Sequence, residues 1–183
     1  MKNIFGLSIP QTLEEVCDPQ RVALLVYDMQ VGILNQIKNP EQLTLQVLKV
    51  LTAARHAGVR VLFSRHLSLP KELMGMSQFR MAMAWQRTDS PEQVKPWFLR
   101  DDPSFQIIPE LAPRTTEGVF DKLTMSAFEG TWLDFALRDC GITAIAFAGI
   151  AMEVGIEPTA RHAADLGSVP VIIADSCGDR SKA

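Results

Sequence analysis

The sequence predicts a single α/β domain, three layers deep, built on a parallel sheet of at least five strands. Three observations lead there. Short apolar runs alternate with segments of helical periodicity, and all but one of the connections are brief. The runs are apolar throughout rather than alternating with polar residues, as in strands covered on both faces. At 183 residues the chain has the length of one domain, and residues 1–183 read as one, without internal repeats or low-complexity tracts.

Residues 1–20 read as an irregular lead-in containing Pro10 and Pro19. The first strand is Val22 to Tyr27, six apolar residues that end at Asp28. Pro40 opens a helix on which Leu43, Leu45, Val47, Leu48, Leu51 and Ala54 recur, and Gly58 stops it. The second strand, Val59 to Ser64, leads into Arg65 and His66. The long connection, Leu67 to Glu117, carries six prolines and gathers Met74, Met76, Met81 and Met83 beside Phe79 and Trp85. Connections of this length are commonly functional or cover a pocket, and Ser77 to Arg87 has the pattern of a helix within it. Gly118 to Phe120 is a short third strand leading into Asp121 and Lys122. A helix follows, with Thr131 and Asp134 at capping-box spacing and Gly141 as its stop. Ile142 to Phe147 is the fourth strand, Glu153 or Gly155 to Leu166 the next helix, and Val169 to Ala174 the fifth strand. Right-handed crossovers join such units into a parallel sheet.

Composition narrows the function classes. A hydrophobic content of 47% with 21% charged residues belongs to a globular chain, not a disordered one. A net charge of -3 gives no reason to expect nucleic acid or an anionic membrane as partner. The longest predominantly apolar run, Ile142 to Met152, is too short to span a bilayer. The first ten residues lack the continuous apolar core of a signal peptide. Cys17, Cys140 and Cys177 are odd in number and in no metal-ligand pattern, which suits a reducing cytoplasm.

Asp28, Lys122 and Gly155 fall at or just past the ends of the first, third and fourth strands. If those strands are parallel, all three meet on one edge of the sheet, where open α/β sheets bind ligands. Each also has a plainer reading, Asp28 as a turn cap and Lys122 as a loop partner of Asp121. Gln30 is placed to orient Asp28, a bound water or substrate, or simply to start a helix. Phe79 and Trp85 are the aromatic candidates for substrate contact. Arg80, Arg87 and Arg100 are of the type that holds a carboxylate bidentately. His66 ends the second strand with no second histidine or aspartate near it in sequence, so no metal and no cofactor are expected.

The motifs LLVYDMQ, DKLTMSAF and GIAMEVGIEPTARHA, in this order, resemble those of the isochorismatase-like (cysteine hydrolase) superfamily. The resemblance covers nearly the whole chain. It implies a small-molecule hydrolase, association into a homo-oligomer, and a further helix and edge strand missing beyond Ala183. It places the catalytic aspartate at Asp28, the lysine at Lys122 and the nucleophile at residue 155. It also implies a non-proline cis peptide at Ile150–Ala151, with Ile150, Ala151 and Gly155 forming an oxyanion hole. In the nicotinamidases of this superfamily, the position near His66 takes part in a metal site.

The departure is Gly155, where amide-cleaving members carry cysteine. Covalent catalysis from that position is impossible without a side chain. Cys140 precedes the fourth strand, at the wrong edge, and Cys177 is expected to follow the fifth. True isochorismatases also carry glycine there, and cleave a vinyl ether by protonation and water attack. Three readings follow: a non-covalent hydrolase with Asp28 as general acid or base, an amidase relative using activated water, or an inactive binding scaffold. Gly155→Cys is expected to be able to install amidase chemistry.

Overall fold

A computed structural model describes residues 1–179 of the chain. In order, its elements are β1 (Lys2–Ile4), β2 (Leu7–Ile9), α1 (Leu13–Val16), β3 (Val22–Tyr27), α2 (Val31–Leu34), α3 (Pro40–His56) and β4 (Arg60–His66). They continue with α4 (Met76–Gln86), β5 (Gly118–Lys122), α5 (Leu133–Asp139), β6 (Ala144–Ile150), α6 (Glu157–Asp165) and β7 (Val169–Gly178). The five strands from β3 to β7 form one parallel sheet in the order β5-β4-β3-β6-β7. The chain winds outward from β3 in both directions, so the C-terminal ends of β3, β5 and β6 open on one edge. The sequence-based fold class is the one observed.

β3 shows why the sheet holds. All six of its residues are buried. Ala23, Leu25 and Tyr27 point into the core under α5 and α6, with Phe147, Leu133 and Ala163. Leu24 and Val26 point the other way, against Val47 and Leu51 of α3. An uninterrupted apolar run therefore feeds two cores with period two. No helix among the described residues is long and apolar enough to cross a membrane.

Several boundaries differ from expectation, each for a local reason. The lead-in is not irregular: β1 and β2 form an antiparallel hairpin turning at Phe5 and Gly6, both at positive φ, as two-residue hairpin loops prefer. Phe5-Gly6 lacks the Asn-Gly or Asp-Gly sequence that usually announces such a turn. Strands β4, β5, β6 and β7 each run two to four residues further toward the site edge than their apolar cores suggested. Backbone pairing, not hydrophobicity, carries them on, and Cys177 consequently lies inside β7, opposite Gly149. Thr131 is not the cap residue of α5, although its hydroxyl accepts from the first helical N–H, that of Leu133, at 3.2 Å. Its hydroxyl donates to the Ala127 carbonyl at 2.6 Å, and Trp132 takes the cap position. The helix expected from residue 153 or 155 is split into a π-helical turn, Met152–Ile156, and α6. Pro158, with no N–H to give, keeps the ladder from running unbroken between them. The further helix and edge strand expected beyond Ala183 lie outside the described residues.

One close approach fixes the sheet near the site. Gly149 of β6 pairs with Tyr27 of β3, at φ +126°, and an added Cβ would lie 2.7 Å from the Tyr27 backbone nitrogen and nearer still to its carbonyl oxygen. Gly149→Ala is expected to cost about 2–4 kcal/mol from strain and overlap, read as a shift in the urea midpoint. A shift worth under about 0.5 kcal/mol, the range of an ordinary surface substitution, would contradict this packing.

Candidate active site

Asp28 follows β3 in the left-handed region, φ 46°, a conformation aspartate tolerates better than most residues. That turn swings its carboxylate across the strand ends. Oδ2 accepts from Lys122 Nζ at 2.7 Å, and Oδ1 accepts from Ser64 Oγ at 2.6 Å. The ammonium also donates to the Thr124 carbonyl at 3.3 Å and sits 4.5 Å from the centre of the Tyr27 ring. Asp28 and Lys122 are 5% and 3% exposed, so the pair is held out of water. Removing one partner would strand the other charge, a loss of about 3–5 kcal/mol.

Gly155 lies in the π-helical turn against the same pocket. A Cβ built there would lie 2.7 Å from the Tyr27 hydroxyl and 2.8 Å from Cζ, closer still to Cε1. The tyrosine ring thus occupies the volume that a side chain at position 155 would need. It is locked there: its hydroxyl donates to the Met125 carbonyl and lies 3.2 Å from Thr159 Oγ1, whose own proton goes to the Gly155 carbonyl at 2.6 Å. Burial, and next the neighbouring Asp28, hold the phenol well above its ordinary pKa, so it stays protonated.

The Ile150–Ala151 peptide is cis. Among the described residues the Ala151 N–H finds no acceptor, which leaves it available to a ligand oxygen. The Gly155 N–H is not available: it donates to the Ala151 carbonyl at 3.0 Å. The expectation of an oxyanion hole shared by Ile150, Ala151 and Gly155 therefore reduces to the one donor at Ala151.

The remaining candidates separate. Trp85 lines the pocket, together with His66, Trp97, Phe98 and Met125. Phe79 does not, although it lies on the same helix α4. Gln30 does not reach substrate space either. Fully buried, it donates to the carbonyls of His66 (3.1 Å) and Phe105 (2.8 Å) and accepts from the His66 N–H at 2.6 Å. Arg80 and Arg87 face a separate outer surface, and Arg100 pairs with Asp121 at 3.0 Å. Met76 is 79% exposed, whereas Met74 and Met81 line a second cavity beside the first. Cys177 donates to the Phe147 carbonyl at 3.4 Å, and burial pushes its thiol up to about 11. Among the described residues no three His, Cys, Asp or Glu side chains converge as a metal-holding group. Sequence reading missed Tyr27, Ser64, Thr159, Trp97 and Phe98. Only Tyr27 and Thr159 lie inside motifs already singled out, and nothing in a single chain links Tyr27 to Gly155.

Two measurements follow. Gly155→Cys should destabilise the native state, and should do so less in a Tyr27→Ala background, with a coupling of about 1–3 kcal/mol in a double-mutant cycle. Additive effects would mean that the ring and position 155 do not compete. With the ring in that space, the single substitution is no longer expected to install amidase chemistry. The second concerns His66, whose imidazole is pushed down to about 4 by burial and then by Lys122, against the opposing pull of Asp28. In the unfolded chain it titrates near its ordinary value of about 6.5. Between these values the unfolded state carries the extra proton, so stability falls as pH drops from about 6.5 toward 4. His66→Gln should remove about 1–2 kcal/mol of the stability difference between pH 7 and pH 5. Parallel urea profiles for the two proteins would refute this.

The Isochorismatase domain family model matches residues 22–183. The chain is 27% identical over 188 residues to the ureidoacrylate amidohydrolase RutB of Serratia proteamaculans, covering 93% of this chain and 75% of that protein. It is 30% identical over 164 residues to YwoC of Bacillus subtilis, an uncharacterized isochorismatase family protein, covering 87% and 78%. The fold is similar to that of a cysteine hydrolase from Pseudomonas syringae pv. phaseolicola, with a TM-score of 0.71 and 26% identity over 88% of this chain and 74% of that one. A match over nearly the whole of the α/β domain, on the fold described above, makes this chain a member of the isochorismatase family and a hydrolase.

Proposed function

We propose that this hydrolase acts on a small molecule by direct attack of water, with Asp28 as general base and no covalent enzyme intermediate. The observation that carries the reading is the Tyr27 ring beside Gly155, in the volume where a nucleophilic side chain would have to stand. Asp28 accepts hydrogen bonds through both carboxylate oxygens, which is the form of a base. In the proposed reaction it takes a proton from a bound water. The resulting hydroxide attacks the substrate carbonyl carbon, and the developing oxyanion is met by the Ala151 N–H and the Lys122 ammonium. The scissile bond then breaks and the leaving atom is protonated, so that one water is consumed for each acid and leaving group formed. Asp28 is the base for the attacking water.

A vinyl-ether substrate is a second reading, favoured by the glycine itself and by the resemblance to true isochorismatases. There Asp28 would have to deliver a proton to an enol carbon, and its two accepted hydrogen bonds favour the base role instead. A screen of small amides, ureas and vinyl ethers, read separately for ammonia and pyruvate release, distinguishes the two. No turnover of any class would leave the binding-scaffold alternative standing. Residues 1–183 as one functional unit, a cytoplasmic setting and a homo-oligomer belong to the same proposal. Free thiols at Cys17, Cys140 and Cys177 support the setting, and the exposed Phe5, Leu7 and Leu13 of the N-terminal segment support the assembly.

On any substrate so found, Asp28→Asn is expected to lower kcat about 10²–10⁴-fold, the usual worth of positioned acid–base catalysis. Iodoacetamide should leave the rate unchanged. Inactivation by the thiol reagent, or an acyl adduct on any cysteine in the mass spectrum, would overturn the non-covalent mechanism.

A further inference from the structure

His66 is held in place by everything except its own polar atoms. It is the last residue of β4, in register with Lys122 on β5. Its backbone N–H and carbonyl are both clamped by the side chain of Gln30, which is itself tied to the Phe105 carbonyl. Phe98 packs on the ring edge-to-face, with centroids 5.8 Å apart. The imidazole lines both the pocket holding Asp28 and Lys122 and the adjoining cavity under α4. Among the described residues no hydrogen bond reaches either ring nitrogen, yet no buried side-chain nitrogen or oxygen is without a partner. Both nitrogens must therefore open onto cavity space. A polar ring positioned through its backbone and its apolar edges, with its hydrogen-bonding atoms left over, is prepared for a ligand.

We propose that His66 is a catalytic residue, donating its ring N–H to the leaving atom of the substrate as the scissile bond breaks. The role rests on the water-attack reading above and completes its proton balance. Asp28 takes one proton from the attacking water, and that proton passes through pocket solvent to the second ring nitrogen. The N–H proton goes to the leaving atom, and the ring ends as the other neutral tautomer. The charged groups facing it are Asp28 at the end of β3, Lys122 on β5 and, across the adjoining cavity, Lys95. With a value of about 4, the imidazole is uncharged throughout the neutral range and so presents one donor and one acceptor together.

The test has two arms. Diethyl pyrocarbonate acylates only the uncharged imidazole, and the chain has three histidines, His56, His66 and His162, whose labelling can be mapped by mass spectrometry. Between pH 5.5 and 7.5 the labelling rate at His66 should stay flat, whereas a histidine titrating near 6.5 gains about ten-fold. A ten-fold rise at His66, or no labelling there at all, overturns the proposal. The second arm compares His66→Gln and His66→Asn on a substrate found by the ammonia and pyruvate screen. Each should lower kcat about 10²–10³-fold with little change in KM. The loss should shrink toward none on a p-nitrophenyl ester, whose leaving oxygen needs no proton. A loss of equal size on both substrates would mark a merely structural role and overturn the assignment. Full activity in both His66 variants while Asp28→Asn is inactive overturns this inference and leaves the hydrolase reading intact. Full activity in all three variants removes both.

Discussion

An aspartate and a lysine held 2.7 Å apart at the buried edge of the sheet constrain everything around them. Each charge loses several kcal/mol of hydration on burial, and their attraction recovers this only with good geometry and further hydrogen bonds. The fold supplies them one by one. Ser64 at the end of β4 gives its hydroxyl to the carboxylate, the loop after β5 gives the Thr124 carbonyl to the ammonium, and the face of Tyr27 lies against it. β3, β4 and β5 must therefore run in one direction and end at matched heights. Well-packed apolar residues at positions 28 and 122 would serve folding at least as well. A buried pair so fully provided for is better explained by chemistry than by stability.

Tyr27 and Gly155 form the second constraint, a steric one. The ring needs the space that a Cβ at 155 would fill, and in return it meets Thr159, the Met125 carbonyl and the Lys122 ammonium. Glycine at this position is thus also a packing requirement. A cysteine placed there would meet the ring before it met a substrate, so restoring the side chain without removing the tyrosine would not restore the chemistry. The same pairing sets an aromatic face on the pocket wall next to the ion pair. In a water-poor site the field of a fixed charge pair is felt more strongly than in bulk solvent.

What sequence alone could and could not reveal divides along physical lines. The central strands were legible because two-sided burial writes itself as an unbroken apolar run, as in Val22 to Tyr27. The gathering of Asp28, Lys122 and Gly155 followed from parallel strands sharing one edge. Strand ends were not legible where pairing outlasts hydrophobicity, as in β7, which carries Asp175 and Ser176 and still reaches Gly178. The break before α6 could have been read from Pro158, but the π-helical form of the preceding turn could not. Gln30 was misplaced as a substrate contact because its two backbone partners, His66 and Phe105, lie 36 and 75 residues away. Trp97 and Phe98 belong to a connection without periodicity, where only the folded chain shows which aromatics turn inward.

The charge content of the pocket bears on what it can bind. Among the described residues its lining holds one carboxylate and one ammonium, already paired, and beyond them an imidazole that is uncharged at neutral pH, a glutamine and apolar or aromatic side chains. The arginines that sequence nominated as carboxylate holders are exposed or committed to Asp121. Among the described lining residues, a substrate carrying two negative charges would find no second cation to replace its lost hydration, and burying it against them would cost far more than the aromatic walls return. An uncharged carbonyl compound avoids that cost. Its apolar part can lie against Trp85, Trp97 and Phe98, and its reacting carbon can sit in the field of the ion pair, where negative charge appears only as the reaction proceeds. In that arrangement the site would offer little to an uncharged ground state beyond apolar contact and more to the charge of the transition state, which is the difference that accelerates a reaction.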